Sequence, residues 1–129
     1  MRNFVVLVLA VLPAGLVGGC SKTPPTLAGG KPVGHWVQAL QDPDARVRKR
    51  AAFRLGNVGP ADPAAFPALV GALEDRDAGV RREAILALLK FGPAAKEAAG
   101  ALSERERHDR DARVRAYAAK ALEKLRDNP

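Results

Sequence analysis

From residue 35 onward, apolar positions recur at helical spacing in paired segments separated by short polar turns. Trp36, Val37 and Leu40 fall on one face of a short helix over residues 35–40. A turn over residues 41–44 follows, and then a helix from about 45 to 58 with Val47, Ala51, Leu55 and Val58 as its buried stripe. Gly59-Pro60-Ala61-Asp62-Pro63 punctuates the junction. The next pair spans about 64–74, with Phe66, Leu69, Val70 and Leu73 on one face, and 78–91, with Val80, Ala84, Leu88 and Phe91. Pro67 lies in a first turn, where a missing N–H costs little. Gly92-Pro93 ends this pair. The third pair is expected at roughly 94–107 and 112–126, with stripes Ala95, Ala98, Ala99, Leu102 and Val114, Ala118, Leu122, Leu125. Its first helix carries the weakest signal: the apolar residues are mostly Ala, residues 103–109 are almost wholly polar, and its edges are expected to fray.

The second helix of each pair opens on the same signal. Asp42-Pro43-Asp44-Ala45-Arg46-Val47-Arg48, Asp75-Arg76-Asp77-Ala78-Gly79-Val80-Arg81 and Asp109-Arg110-Asp111-Ala112-Arg113-Val114-Arg115 share the form D-x-D-A-x-V-R. The steps from Val47 to Val80 and from Val80 to Val114 are 33 and 34 residues. Self-similarity at such a period is the mark of a helical solenoid, because one helix pair cannot bury its apolar face alone. The predicted fold class is all-α, an α-solenoid of about three stacked helix pairs over residues 35–129. The second Asp of each signal stands where an N-cap is wanted, Asp44 and Asp77 among them. Three repeats are near the minimum for an independent solenoid, so a partner or self-association has stability to add.

These residues resemble HEAT repeats. The resemblance rests on the Asp of the inter-helix turn, the Arg six places later and the V-R-x-x-A that carries the pattern into the second helix, and it covers about residues 35–126. The period is shorter than the usual 40–47 residues and is similar to the short HEAT-like subtype of phycobilisome lyases. No bilin site or activity is carried over with it. The resemblance implies an Asp–Arg ladder between neighbouring repeats, written onto this chain as Asp42 with Arg48, Asp75 with Arg81 and Asp109 with Arg115. The tetratricopeptide and ankyrin patterns, which share the period, are absent.

The N-terminus has a different character. Met1-Arg2-Asn3 is a short basic region, and residues 4–12 are an unbroken apolar run, too short for a permanent membrane span. Residues 1–19 are therefore expected to be a signal peptide. Leu16-Val17-Gly18-Gly19-Cys20 resembles the lipobox of bacterial lipoproteins. That resemblance implies cleavage before Cys20 and lipidation of Cys20, hence an exported, membrane-anchored protein facing the periplasm or cell exterior. Ser21 in place of the Asp that retains such proteins favours the outer membrane where the cell has one. Residues 20–34, with their Pro and Gly, read as the lipidated Cys and a flexible tether.

Composition adds limits. The single Cys20 excludes an intrachain disulfide and a thiolate metal cluster. The net charge of +7 falls to +6 once residues 1–19 are removed, with 20 basic and 14 acidic side chains remaining. Such a surface favours anionic partners, although the charges are interleaved in sign as on any solvated helix. His35 and His108 have no motif context, and neither a metalloprotease helix motif, a phosphate-binding Gly loop nor a nucleophile elbow occurs. The chain is expected not to be an enzyme and to use no cofactor and no metal.

Placing residues at 100° per step puts the exposed side of each second helix two, three and six places after the repeated Val. This gives Lys49, Arg82 and Ala116; Arg50, Glu83 and Tyr117; and Phe53, Leu86 and Lys120. Stacking lines these up on one surface. Lys49, Arg50, Phe53, Arg82, Leu86, Tyr117 and Lys120 are the candidate partner-binding residues, with apolar groups rimmed by charge. The alternative is that Phe53 and Leu86 pack between adjacent repeats. Arg54 departs from the Ala87 and Ala121 of the other copies, as an open edge of the first repeat would allow. The function this predicts is a membrane-tethered scaffold or adaptor that binds a protein. Binding of anionic polymer or lipid through the basic surface, or a non-catalytic role as accessory to an enzyme, are the alternatives. The export signal stands against nucleic acid.

Overall fold

The computed structural model describes residues 26–128. A two-stranded hairpin comes first, β1 (Leu27–Ala28) and β2 (Lys31–Pro32). Six helices follow: α1 (Val33–Ala39), α2 (Ala45–Val58), α3 (Ala65–Ala72), α4 (Ala78–Leu89), α5 (Ala99–His108) and α6 (Ala112–Asp127). They pair as α1–α2, α3–α4 and α5–α6, and α2, α4 and α6 pack side by side along the stack. The architecture is an all-α solenoid of three helix pairs.

The three long second helices start where the repeated signal places them. Asp44, Asp77 and Asp111 are extended N-caps whose carboxylates accept from the backbone N–H of Arg46, Val80, and Arg113 with Val114. Such caps are worth about 1 kcal/mol each and are entirely local, which is why they are legible in the sequence. The first helices are less regular. Where a helix from 94 is expected, Gly92–Ala98 forms a 3₁₀ turn and α5 begins only at Ala99. Pro93 sits in that first turn, and the run of Ala around it supplies little side-chain packing to enforce α geometry.

Residues 26–34 do not behave as the expected tether. Gly29 and Gly30 both have positive φ, 57° and 77°, and make a two-residue turn between Ala28 and Lys31. A Gly-Gly pair takes these angles without the steric cost any other residue meets. The Trp36 indole N–H donates to Ala28 O at 2.7 Å in a buried bond, and Val33 N–H donates to Thr26 O at 3.1 Å. These contacts fold the hairpin onto α1 and the start of the stack. The remainder of the tether, Cys20 and the signal segment lie outside the described residues.

Burial explains the stacking. Val80, Ala84, Leu88, Val114 and Ala118 are fully buried, as the stripes require, but so are Ala52, Ile85, Ala87 and Ala121, which lie to either side of them. A second helix in a stack is covered by its own first helix and on both flanks by its neighbours, so its apolar face is wider than one stripe. Gly56 shows how closely the flanks approach. A Cβ there would meet Ala87 Cβ at 2.6 Å and Ala87 Cα at 2.8 Å. The ends of the array lack this cover, and Val47 and Leu122 are accordingly only half-buried.

The ladder is real but its rungs differ from the expected pairs. Arg48 does not fork onto Asp42; its Nε and Nη2 donate to the carboxylate of Asp75 at 2.8 and 3.0 Å. Arg81 likewise forks onto Asp109, at 2.8 Å for both bonds, rather than onto Asp75. Within a repeat the contact is with backbone: Arg48 Nη1 donates to Asp42 O, Arg81 Nη1 to Asp75 O and Arg115 Nη1 to Asp109 O, at 2.9, 2.8 and 2.7 Å. The six-residue spacing brings the guanidinium to the turn's carbonyl, while the turn's carboxylate reaches toward the preceding repeat. Each turn carboxylate also accepts from the N–H two places on, as Asp109 does from Asp111 at 2.9 Å.

Arg48, Arg81 and Asp109 are the buried charged residues of the described chain. Burial pushes the carboxyls of Asp75 and Asp109 up. The paired guanidinium, the backbone N–H and nearby positive charges outweigh that and hold both below the ordinary carboxylate value.

Candidate protein-binding face

The outward side of α2, α4 and α6 is positioned by the same stacking that buries their inward stripes. With the flanks occupied by neighbouring helices, the side chains two, three and six places after the repeated Val are left facing away. Phe53, Leu86 and Tyr117 are 43%, 40% and 38% exposed, and together with Leu27 on the hairpin they are the exposed large hydrophobic residues of the described chain. One comes from each second helix. Lys49, Arg50 and Lys120 are exposed as well, while Arg82 and Glu83 are half-buried. Phe53 and Leu86 therefore do not pack away between repeats.

Side chains of neighbouring helices meet on this face. Lys90 of the second repeat reaches back to the first, donating from Nζ to Asn57 Oδ1 at 2.6 Å and lying 4.7 Å from the centre of the Phe53 ring. Arg82 of α4 lies over the Tyr117 ring of α6 at 6.0 Å. A cation held against a ring face contributes about 0.5–1 kcal/mol at such sites and fixes the ring's orientation. Arg82 Nε is buried without a hydrogen-bond partner, and the electron-rich face of Tyr117 offsets part of that cost. Arg54, which departs from the repeat pattern, stacks 5.9 Å from Trp36 and beside Gly29. It thus fills the flank that Ala87 and Ala121 leave to a preceding helix.

Lys90 and Asn57 were not among the residues singled out from the sequence. Both stand ten places after the repeated Val, with Lys124 in the third copy. That is one turn beyond Phe53 and Leu86 on the same face, so the i+4 neighbour was the available signal.

Grooves of about 350–440 Å³ lie between α1 and α3, at the α5–α6 end, and beside Trp36 and Asp42; Phe53, Leu86 and Tyr117 line none of these. Among the described residues, no group of three or more His, Cys, Asp or Glu is placed to hold a metal, and no helix is long and apolar enough to cross a membrane.

The duplicated helix pairs and their stacked order can be set beside known families. The sequence profile of HEAT repeats matches residues 33–124. The chain belongs to the HEAT repeat family. Its match begins at Val33, the first residue of α1, and spans all three helix pairs. HEAT repeats generally mediate protein–protein interaction and are typically non-catalytic scaffolds. No curated protein gives a significant match.

Proposed function

We propose that this HEAT repeat protein is a membrane-tethered adaptor whose α2–α4–α6 face binds a protein segment with apolar anchors and acidic flanks. The observation that carries the reading is the alignment of Phe53, Leu86 and Tyr117, one per repeat, among Lys49, Arg50, Arg82, Lys90 and Lys120. Exposed apolar groups cost solvation unless they are used, and the surrounding cations select a partner of opposite sign. The lipobox-like stretch ending at Cys20 supports the tether, with several acyl chains adding about 0.8 kcal/mol per buried methylene.

The face is tested by affinity capture from envelope extract with the full chain in detergent as bait. Proteins retained at high salt and lost with Phe53→Ser plus Leu86→Ser are the expected result. Loss of anchors worth ~2 kcal/mol each corresponds to roughly 30-fold weaker binding per site. Retention of only anionic material that washes off with salt would assign binding to the basic surface instead. For the tether, Cys20→Ala should move the protein from the membrane to the soluble fraction. A variant that still sediments with membranes would defeat the lipid-anchor reading.

A further inference from the structure

The ladder has an unused half-rung at each end. Inside the stack, an Arg forks onto the carboxylate of the next repeat, and a carboxylate receives the fork of the preceding one. Arg115 is held by the same backbone contact as Arg48 and Arg81, through Nη1 to Asp109 O, yet its Nε and Nη2 have no partner among the described residues. Asp42 is held like Asp75 and Asp109, accepting Asp44 N–H at 2.8 Å, yet among the described residues it receives no guanidinium. One end of the array therefore presents a preset donor fork and the other a preset carboxylate, with opposite charge.

The apolar surfaces match in the same sense. At the inner junctions Leu55, Leu88, Val80 and Val114 are fully buried, whereas Leu122 and Val47, their counterparts at the two ends, are only partly buried. A groove of about 440 Å³ at the α5–α6 end has an apolar floor of Ala99, Ala119, Leu122 and Leu125 among polar side chains that include Lys96, Glu106 and Arg126. At the opposite end the hairpin carries Leu27, 59% exposed and the most exposed large hydrophobic side chain described. The hairpin lies over Arg54, two turns along α2 from Val47, and a groove of about 440 Å³ beside Lys31, His35 and Gln38 reaches Asp42 and Val47.

We propose that two copies of this chain associate head to tail, Arg115 of one copy forking onto Asp42 of the next and Leu27 seating in the α5–α6 groove. The contact extends the Asp–Arg ladder from one molecule to the next, with Arg54 and the hairpin taking the flank that a preceding helix takes inside the stack. It is heterologous, so assemblies grow beyond the dimer, to a ring or an open chain, as concentration rises. It uses the ends of the array and leaves the Phe53–Leu86–Tyr117 face free.

The test is sedimentation velocity of the full chain in detergent over a wide protein concentration range, with circular dichroism to confirm the fold of each variant. The expected result is concentration-dependent growth beyond the monomer. Arg115→Asp, Asp42→Arg and Leu27→Asp should each raise the concentration needed at least tenfold, and the double variant Asp42→Arg plus Arg115→Asp should recover most of it. Asp42→Asn keeps the acceptor for Asp44 N–H while removing the charge, so it separates loss of the rung from loss of the turn. Phe53→Ser should leave association unchanged. A monomer at every concentration, association indifferent to Arg115 and Asp42, or a double variant no better than either single would overturn the proposal.

Discussion

Val80→Asp is expected to abolish the cooperative fold. Val80 is fully buried where α4 meets its neighbours, and a carboxylate there would have neither water nor a free cation, since the adjacent Arg81 is committed to Asp109. The cost is about 4–5 kcal/mol or more, comparable with the whole stability of a small domain. At several degrees per kcal/mol, melting should fall by over 20 °C or lose its transition altogether. The equivalent Val47→Asp supplies the control. Val47 is the same Val in the first copy of the repeated signal, but it lies at the end of the array and is only partly buried. It should cost about 1 kcal/mol or less, because the new carboxylate keeps its water. Thermal melts of the two variants side by side check both statements. Equal losses would mean that the stacking order, and not merely one contact, is wrong.

The second large effect is at the buried rung. Asp109→Ala should destabilise by about 3–5 kcal/mol, because Arg81 would remain buried with its fork unpaired. Arg115→Ala, at a position with a backbone contact and no carboxylate, should cost far less. Replacing the pair together, Arg81→Met with Asp109→Asn, should recover most of the loss, since no charge is left stranded and the amide oxygen still accepts from Asp111 N–H. Urea unfolding of these variants gives the comparison directly. Acid provides an independent reading. Asp75 and Asp109 are held below the ordinary value in the fold, whereas an unfolded Asp titrates near 3.9. Their contribution is therefore complete above about pH 4 and is lost as pH falls through the lowered folded values. Asp109→Asn should flatten this acid limb; an unchanged limb would show that the rung carries none of it.

What could be read without coordinates was whatever is local or periodic. The caps at Asp44, Asp77 and Asp111 act over two or three residues, so the signal and its structure coincide. The face bearing Phe53, Leu86 and Tyr117 followed from a 100° step and a 33–34 residue period, because in a stacked array each repeat repeats its exposures. Lys90 stands on that face four places after Leu86, but the contact it makes was not legible. Its approach to Phe53 and Asn57 crosses from one repeat to another, which no single helix wheel displays.

The sequence by itself determined the three helix pairs, their caps, most of their inward stripes and membership of a repeat architecture, since these depend on periodicity and on contacts a few residues long. The tertiary structure decided the rest. Arg48 with Asp75 and Arg81 with Asp109 are 27 and 28 residues apart, and the six-residue pairs that look natural in the sequence proved to be guanidinium-to-carbonyl contacts. It also decided that the Gly29-Gly30 stretch folds as a hairpin, because the Trp36 N–H lies in reach of Ala28 O only once α1 is packed. The reason is common to both cases. A buried polar group must find its partner wherever the packed chain brings one, and that place is fixed by the stack as a whole rather than by spacing along the chain.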